Sequence, residues 1–192
     1  MKKSLILASK SPRRVRLLEK LKINFEIFPS NINENKKLNL LPIDFAQYWA
    51  KKKAIEVGKH KPKNLIFAAD TIVAYEDNIL GKPKDKNDSY RMLELLSGRT
   101  HKVITCMVFF NKEKNIFESS YKETFVTVNK LNQNDIRNYI NKNNTLDKAG
   151  AYGIQGFFSV HITNINGCYY NVMGLPLSLF YEEYKKVKSL IN

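Results

Sequence analysis

The chain alternates between short apolar runs and longer stretches whose apolar positions recur at helical spacing, and this alternation predicts an α/β domain. The run "LILA" at 5–8 has strand character. Ser11 can then cap a helix with Pro12 in its first turn, and Val15, Leu18 and Leu21 fall near one face of "PRRVRLLEKLK". "FEIFPS" reads as a strand and "NINENKKLN" as a polar loop. A second helix covers "PIDFAQYWAKKKAIEVG", with Pro42 at its start and Gly58 at its end. "LIFAADTIVAY" is the most strand-like segment, and "EDN" turns it back into "ILGKP". Further along, "NDSYRMLELLSG" is a helix closed by Gly98, "KVITCMVFF" a strand, and "IFESSYKETFVTVNKL" alternates like an edge or half-buried strand. "NQNDIRNYINKN" is helical, "FSVHITNINGCYYNV" reads as a hairpin turning at "NING", and "PLSLFYEEYKKVKSLI" closes the chain as an amphipathic helix.

With 192 residues and 43% hydrophobic content, the chain can bury a full core, and one domain spanning 1–192 is expected. No apolar run approaches the roughly 18 residues of a membrane span, and the apolar segment of "MKKSLILASKSPRR" is too short for a signal peptide. These readings favour a cytosolic protein without a membrane partner. Cys106 and Cys168 form no disulfide framework and read as ordinary thiols.

The formal net charge of +14 raises the question of nucleic acid. Lysines, however, are spread over nearly the whole chain, beside abundant Asn and Ile, and no basic stripe interleaved with aromatics stands out. No stable nucleic-acid partner is expected. The six arginines say more, because three of them sit in "RRVR" at the start of the first helix. A helix N-terminus carries unsatisfied N–H groups and prefers anions, so Lys10, Arg13, Arg14 and Arg16 crowd cations where a negative partner is wanted.

Asp70 is the strongest single candidate for chemistry. It follows five apolar residues and precedes "TIVAY", which places it in a central strand where an unpaired carboxylate is costly. It needs a cation, unless it ends its strand, turns to solvent or bonds a nearby backbone. The "GKPKD" turn could return Lys82 to the same sheet edge; taken alone, Lys82 reads as a solvated loop lysine. "DKAGAYGIQG" is the second candidate: its glycines allow close backbone approach to a ligand, and Gln155 offers both a donor and an acceptor suited to a nucleobase edge. The alternative is an ordinary glycine-rich loop. No dinucleotide fingerprint, P-loop or G-x-S-x-G elbow occurs, and the spacings of His101 with Cys106 and His161 with Cys168 match no zinc site. A hard cation held by one or two carboxylates and by substrate phosphates suits the inventory better.

Four separated blocks resemble the Maf family of nucleoside triphosphate pyrophosphatases: "LASKSPRR", "AADTIV", "LGKPKD" with "MLELLSGRTHKV", and "DKAGAYGIQG" followed by "INGCYYNVMGLPL". "KAGAYGIQG" resembles the branch acting on dTTP and UTP rather than the branch preferring 7-methyl-GTP. The resemblance implies a mixed, curved sheet with surrounding helices, two lobes and a central cleft, similar to inosine triphosphate pyrophosphatases. It implies hydrolysis between the α- and β-phosphates, helped by a divalent cation, Mg²⁺ or Mn²⁺. By similarity Asp70 is the proton acceptor or helps hold the metal, and Glu34 assists with metal, beside Asn33 where the family often has an acid. Ser9, Arg13, Arg14, Lys53 and Lys82 match positions around the phosphates; Arg13, Thr71 and Gln155 match positions of base selection. The negative partner wanted by "SPRR" would then be the triphosphate. The expected activity is nucleotide-pool house-cleaning on dTTP, UTP or modified pyrimidine nucleotides, in a possible homodimer; the alternative is a nucleotide-sensing regulator of cell division, or a nucleic-acid-binding protein, without significant turnover. Thr71 neighbours Asp70 in a strand, so the two side chains should face opposite ways.

Overall fold

The computed structural model describes residues 4–34 and 38–191, so part of the "NINENKKLN" loop lies outside the described residues. Among the described residues seven strands form one mixed sheet: β1 (Leu5–Leu7), β2 (Phe25–Ile27), β3 (Leu65–Tyr75), β4 (Asn78–Leu80), β5 (Thr100–Asn111), β6 (Ile116–Val128) and β7 (Ile162–Asn166). Their order is β2-β1-β3-β5-β6-β7, with β4 paired to β3 outside this path. β1 runs parallel to β2 and β3, and every other pairing is antiparallel. The parallel pairs are joined by α1 (Pro12–Lys20) and α2 (Pro42–His60), as a crossover between parallel strands requires.

Alternation along β3 sorts its side chains. Ile66, Ala68 and Ile72 face α2 and pack with Phe45, Trp49 and Val57; Phe67 and Ala69 face the other way, toward Leu17 and Leu18 of α1 and Phe180 and Val187 of α6 (Leu177–Ile191). A third cluster gathers Val73 and Leu80 with Leu93 and Leu96 of α3 (Lys86–Leu96) and Ile136 and Tyr139 of α4 (Gln133–Lys142). This is the second lobe, and β3, β5 and β6 run through both.

The register locates the cleft. β5 pairs with β3 from Ile66 to Ala74, so β1, which pairs at Leu65, Ile66 and Phe67, and β4, which pairs at Val73, Ala74 and Tyr75, must share the opposite edge. Between them, among the described residues, that edge of β3 has no strand partner over residues 68–72, and Asp70 and Thr71 sit in the middle of this gap. The expected mixed sheet with two lobes is therefore what the chain forms.

Most helix ends follow the sequence signals. Ser11 accepts a bond from the Arg14 N–H with Pro12 at the helix start, Asp85 caps α3, Asn132 and Asp135 form a capping box on α4, and Gly98 takes a left-handed turn (φ +70°) after α3. Two expectations fail. Gly58 does not end α2, which continues to His60; a Cβ there would clash with the Phe110 ring, so glycine lets the helix close on β5. Nor does "NING" turn a hairpin. β7 is followed by a short helix, α5 (Tyr169–Val172), because Asn171 turns inward and donates to the Val103 carbonyl at 2.9 Å and to Thr124 Oγ1 at 3.0 Å. Among the described residues no helix is long and apolar enough to cross a membrane.

Candidate active site

The cation that Asp70 requires comes from α2. Lys53 Nζ lies 2.6 Å from Asp70 Oδ1 and 3.1 Å from Glu34 Oε2, so one ammonium draws a strand carboxylate and a loop carboxylate together. The Lys53 and Asp70 side chains are only 12% and 11% exposed, whereas Glu34 keeps 45%, which makes it the wet side of the cluster. Lys82 is exposed in the turn after β4.

The two arginines that look alike in sequence differ in structure. Arg14 is buried and its guanidinium is spent on neutral acceptors: Nε donates to the Gly174 carbonyl at 2.9 Å, one terminal nitrogen to Ser9 Oγ at 3.2 Å and the other to Thr71 Oγ1 at 2.7 Å. Burial lowers its pKa, the charges of Asp70 and Glu34 oppose that shift, and Arg13 adds to it, so these four charged groups share one electrostatic neighbourhood. Arg13 instead finds an anion within the chain, Asp147, with Nη1 to Oδ2 at 3.0 Å. The negative partner wanted by "SPRR" is thus partly supplied by the protein, through Asp147, and Arg13 keeps further donors beyond that contact.

Ser9 and Thr71 are held by this arginine. Ser9 Oγ accepts from Arg14 and from the Ser11 N–H, both at 3.2 Å, which leaves its hydroxyl proton to donate elsewhere. Thr71 bonds Arg14 and Thr105, at 2.7 and 2.9 Å, on the face opposite Lys53 and Asp70, as strand alternation demands. Both residues lie on the stretch of β3 whose outer edge is paired with neither β1 nor β4.

The glycine-rich segment forms a wall of the second lobe. Gly150 has φ +68°, its N–H bonds the Gly81 carbonyl at 3.1 Å, and a Cβ would stand 3.0 Å from both methyls of Val73. Tyr152, in the same segment, is buried and meets His101 Nε2 through its hydroxyl at 2.7 Å; burial pushes the His101 pKa down to about 4, so the ring is neutral at physiological pH. Gln155 is exposed beyond this anchor. Gly150→Ala is expected to cost about 1–3 kcal/mol through the left-handed backbone and the contact with Val73, read by urea denaturation. Unchanged stability would mean that the loop is not packed on β3.

Cys106, opposite Asp70 on β5, is buried and its thiol pKa is pushed up to about 12, by burial first and by the Asp70 charge second, so it stays protonated as an ordinary thiol. Several positions that matter here escaped the sequence reading. Thr105 and Asn171 are polar residues inside apolar runs, the same signal that marked Asp70; Asp147 and Gly174 lie within the quoted blocks "DKAGAYGIQG" and "INGCYYNVMGLPL" without a role assigned to them there.

Among the described residues no group of three His, Cys, Asp or Glu could hold a metal alone. Glu34 and Asp70, joined at Lys53, fit a hard cation that completes its shell with water and phosphate oxygens.

The profile of the Maf family, described as Maf-like protein, matches residues 4–187. The chain belongs to the Maf family. Maf relatives include a "dTTP/UTP pyrophosphatase" of Clostridium botulinum (strain Eklund 17B / Type B), 46% identical over 175 residues, covering 90% of this chain and 93% of the relative. Another of the same name, from Bacillus cereus (strain G9842), is 42% identical over 184 residues, covering 96% and 95%. A third, from Clostridium perfringens (strain ATCC 13124), is 44% identical over 185 residues, covering 92% and 93%. Among solved structures, the Ham1 protein of Staphylococcus aureus aligns with a TM-score of 0.46 and 10% identity over 66% of this chain and 72% of that chain.

Proposed function

We propose that this Maf protein hydrolyses dTTP and UTP to the nucleoside monophosphate and pyrophosphate, as a cytosolic enzyme of nucleotide-pool house-cleaning whose two lobes act as one catalytic unit. The observation that carries the reading is the cluster in the β3 gap: Asp70 and Glu34 on Lys53, with Arg13 and Arg14 beside them. Relatives at 42–46% identity bear the corresponding name.

In this reading Asp70 accepts a proton from the water that attacks the α-phosphorus, and the bond from that phosphorus to the bridging oxygen breaks. Lys53 holds one Asp70 oxygen, which fixes the carboxylate's direction. Charge gathers on the leaving pyrophosphate, where preorganised donors contribute most. Arg13, Lys82 and the Ser9 hydroxyl supply those donors, while buried Arg14 keeps Ser9 and Thr71 in place and adds a fixed positive field. Glu34 and Asp70 would hold Mg²⁺ or Mn²⁺, which neutralises phosphate charge when bound. Arg13, Thr71 and Gln155 select the base.

The test is pyrophosphate release with Mg²⁺ across UTP, dTTP, CTP, ATP and GTP. Turnover led by UTP and dTTP is expected; nucleotide binding without pyrophosphate release would favour a sensor instead. Gln155→Glu removes an amide donor that can pair with a uracil or thymine carbonyl and adds a negative charge. It should narrow the preference for UTP over CTP by about 10-fold or more, since an unpaired edge is strongly discriminated. An unchanged ranking in the folded variant removes Gln155 from base reading.

A further inference from the structure

The Arg13–Asp147 contact joins the two lobes. Arg13 belongs to α1, which packs through Leu17 and Leu18 on the first lobe. Asp147 begins the glycine-rich segment, which is rooted in the second lobe. There Ser89 of α3 and Thr145, both buried, share a hydroxyl bond at 2.8 Å, Gly150 bonds Gly81, and Tyr152 packs in the cluster of Val73 and Leu93. The residues are 134 apart in sequence, and the arginine meets both the side chain and the main chain of its partner: Nη1 to Asp147 Oδ2 at 3.0 Å and Nη2 to the Asp147 carbonyl at 3.2 Å. This two-point grip fixes the plane of the guanidinium as well as its position.

The grip is built from the far side as well. Lys148 Nζ bonds Asp147 Oδ1 and the Asn144 carbonyl, so the carboxylate is shared between two cations. The Lys148 stem runs against Gly153, where a Cβ would stand 2.9 Å from Cε; a glycine there leaves the lysine room to reach back. Burial works against the Asp147 charge, and the hydrogen bonds from Lys148 and Arg13 outweigh it, keeping the carboxyl ionised well into the acid range. Arg13 has five N–H donors, of which Asp147 claims two and three point elsewhere. Its side chain stays 29% exposed, unlike buried Arg14.

We infer that Asp147 is a positioning residue, which aims the free donors of Arg13 at the substrate triphosphate from the opposite lobe and so sets the approach of the two lobes on that ligand. This rests on the reading of the cleft as a nucleoside triphosphate site. A carboxylate touching the phosphates directly would repel them; one gripping the arginine from behind leaves its donors oriented and costs no reorganisation when the substrate arrives.

A double-mutant cycle on the full chain tests it, with UTP and Mg²⁺, using Asp147→Ala, Arg13→Ala and both together. Asp147→Ala should lower kcat/KM by about 10- to 100-fold, mainly through KM, as expected when an aligned contact is misplaced. In the Arg13→Ala background the same change should cost less than about 3-fold, because residues that act through one another are not additive. Asp147→Asn, which keeps an oxygen acceptor and the main-chain bond, should fall between Asp147→Ala and wild type, and it carries the cycle if the alanine variant does not fold. Equal losses in both backgrounds would make Asp147 a purely structural residue, and a gain in kcat/KM would make it a restraint on Arg13; either overturns the inference. Should the wild-type chain release no pyrophosphate, the functional reading fails separately. The cycle is then read from binding of α,β-methylene-UTP, where additive Kd changes, or no binding at all, would again overturn it.

Discussion

Asp70→Asn is expected to reduce pyrophosphate release by about 10²–10⁴-fold, the usual worth of a positioned proton acceptor, with little change in KM. The amide keeps the shape and still offers an oxygen to Lys53, which retains Glu34 at 3.1 Å as its second partner, so the fold should persist with a thermal midpoint close to wild type. Only the negative charge and the proton affinity disappear. Turnover within about 10-fold of wild type in the folded variant would move the proton acceptor away from Asp70.

Lys53→Met should damage both stability and turnover. Lys53 is the ammonium between Asp70 and Glu34, and the Lys53 and Asp70 side chains are nearly as buried as each other. Removing one member of a buried pair leaves an uncompensated charge, at a cost of about 3–5 kcal/mol. The expected signs are a clearly lower urea midpoint with an unchanged slope, and turnover reduced at least as far as the carboxylate's orientation matters. Stability equal to wild type would show that solvent, rather than the lysine, balances Asp70.

How far these features could be read from the chain alone depends on the kind of signal. Strand and helix identity followed periodicity, and the buried acid was evident because Asp70 interrupts an apolar run. Its cation was not. Lys53 is one of three consecutive lysines on α2, and only the rotation of that helix over β3 selects it. Arg13 and Arg14 are adjacent and chemically identical, yet helix geometry turns one into the core and the other into the cleft; the deciding partners, Gly174 and Asp147, lie more than a hundred residues away. "NING" misled because a glycine turn followed by aromatic residues resembles a hairpin, whereas the sheet offers Asn171 a carbonyl and a hydroxyl to bond. The expected opposition of Asp70 and Thr71 is real: Thr71 bonds Arg14 and Asp70 bonds Lys53, on opposite faces of β3.

That three long strands pass without interruption from one lobe into the other has a mechanical consequence. Jaws joined by a flexible linker swing like a door, but jaws carved from one continuous sheet can open only by flexing the hydrogen-bonded ladder itself, as a leaf spring does. Such a clamp resists wide excursions and returns to its resting width unaided. A grip of that kind closes little around what enters it, so discrimination falls to the side chains that line the mouth rather than to a swinging closure.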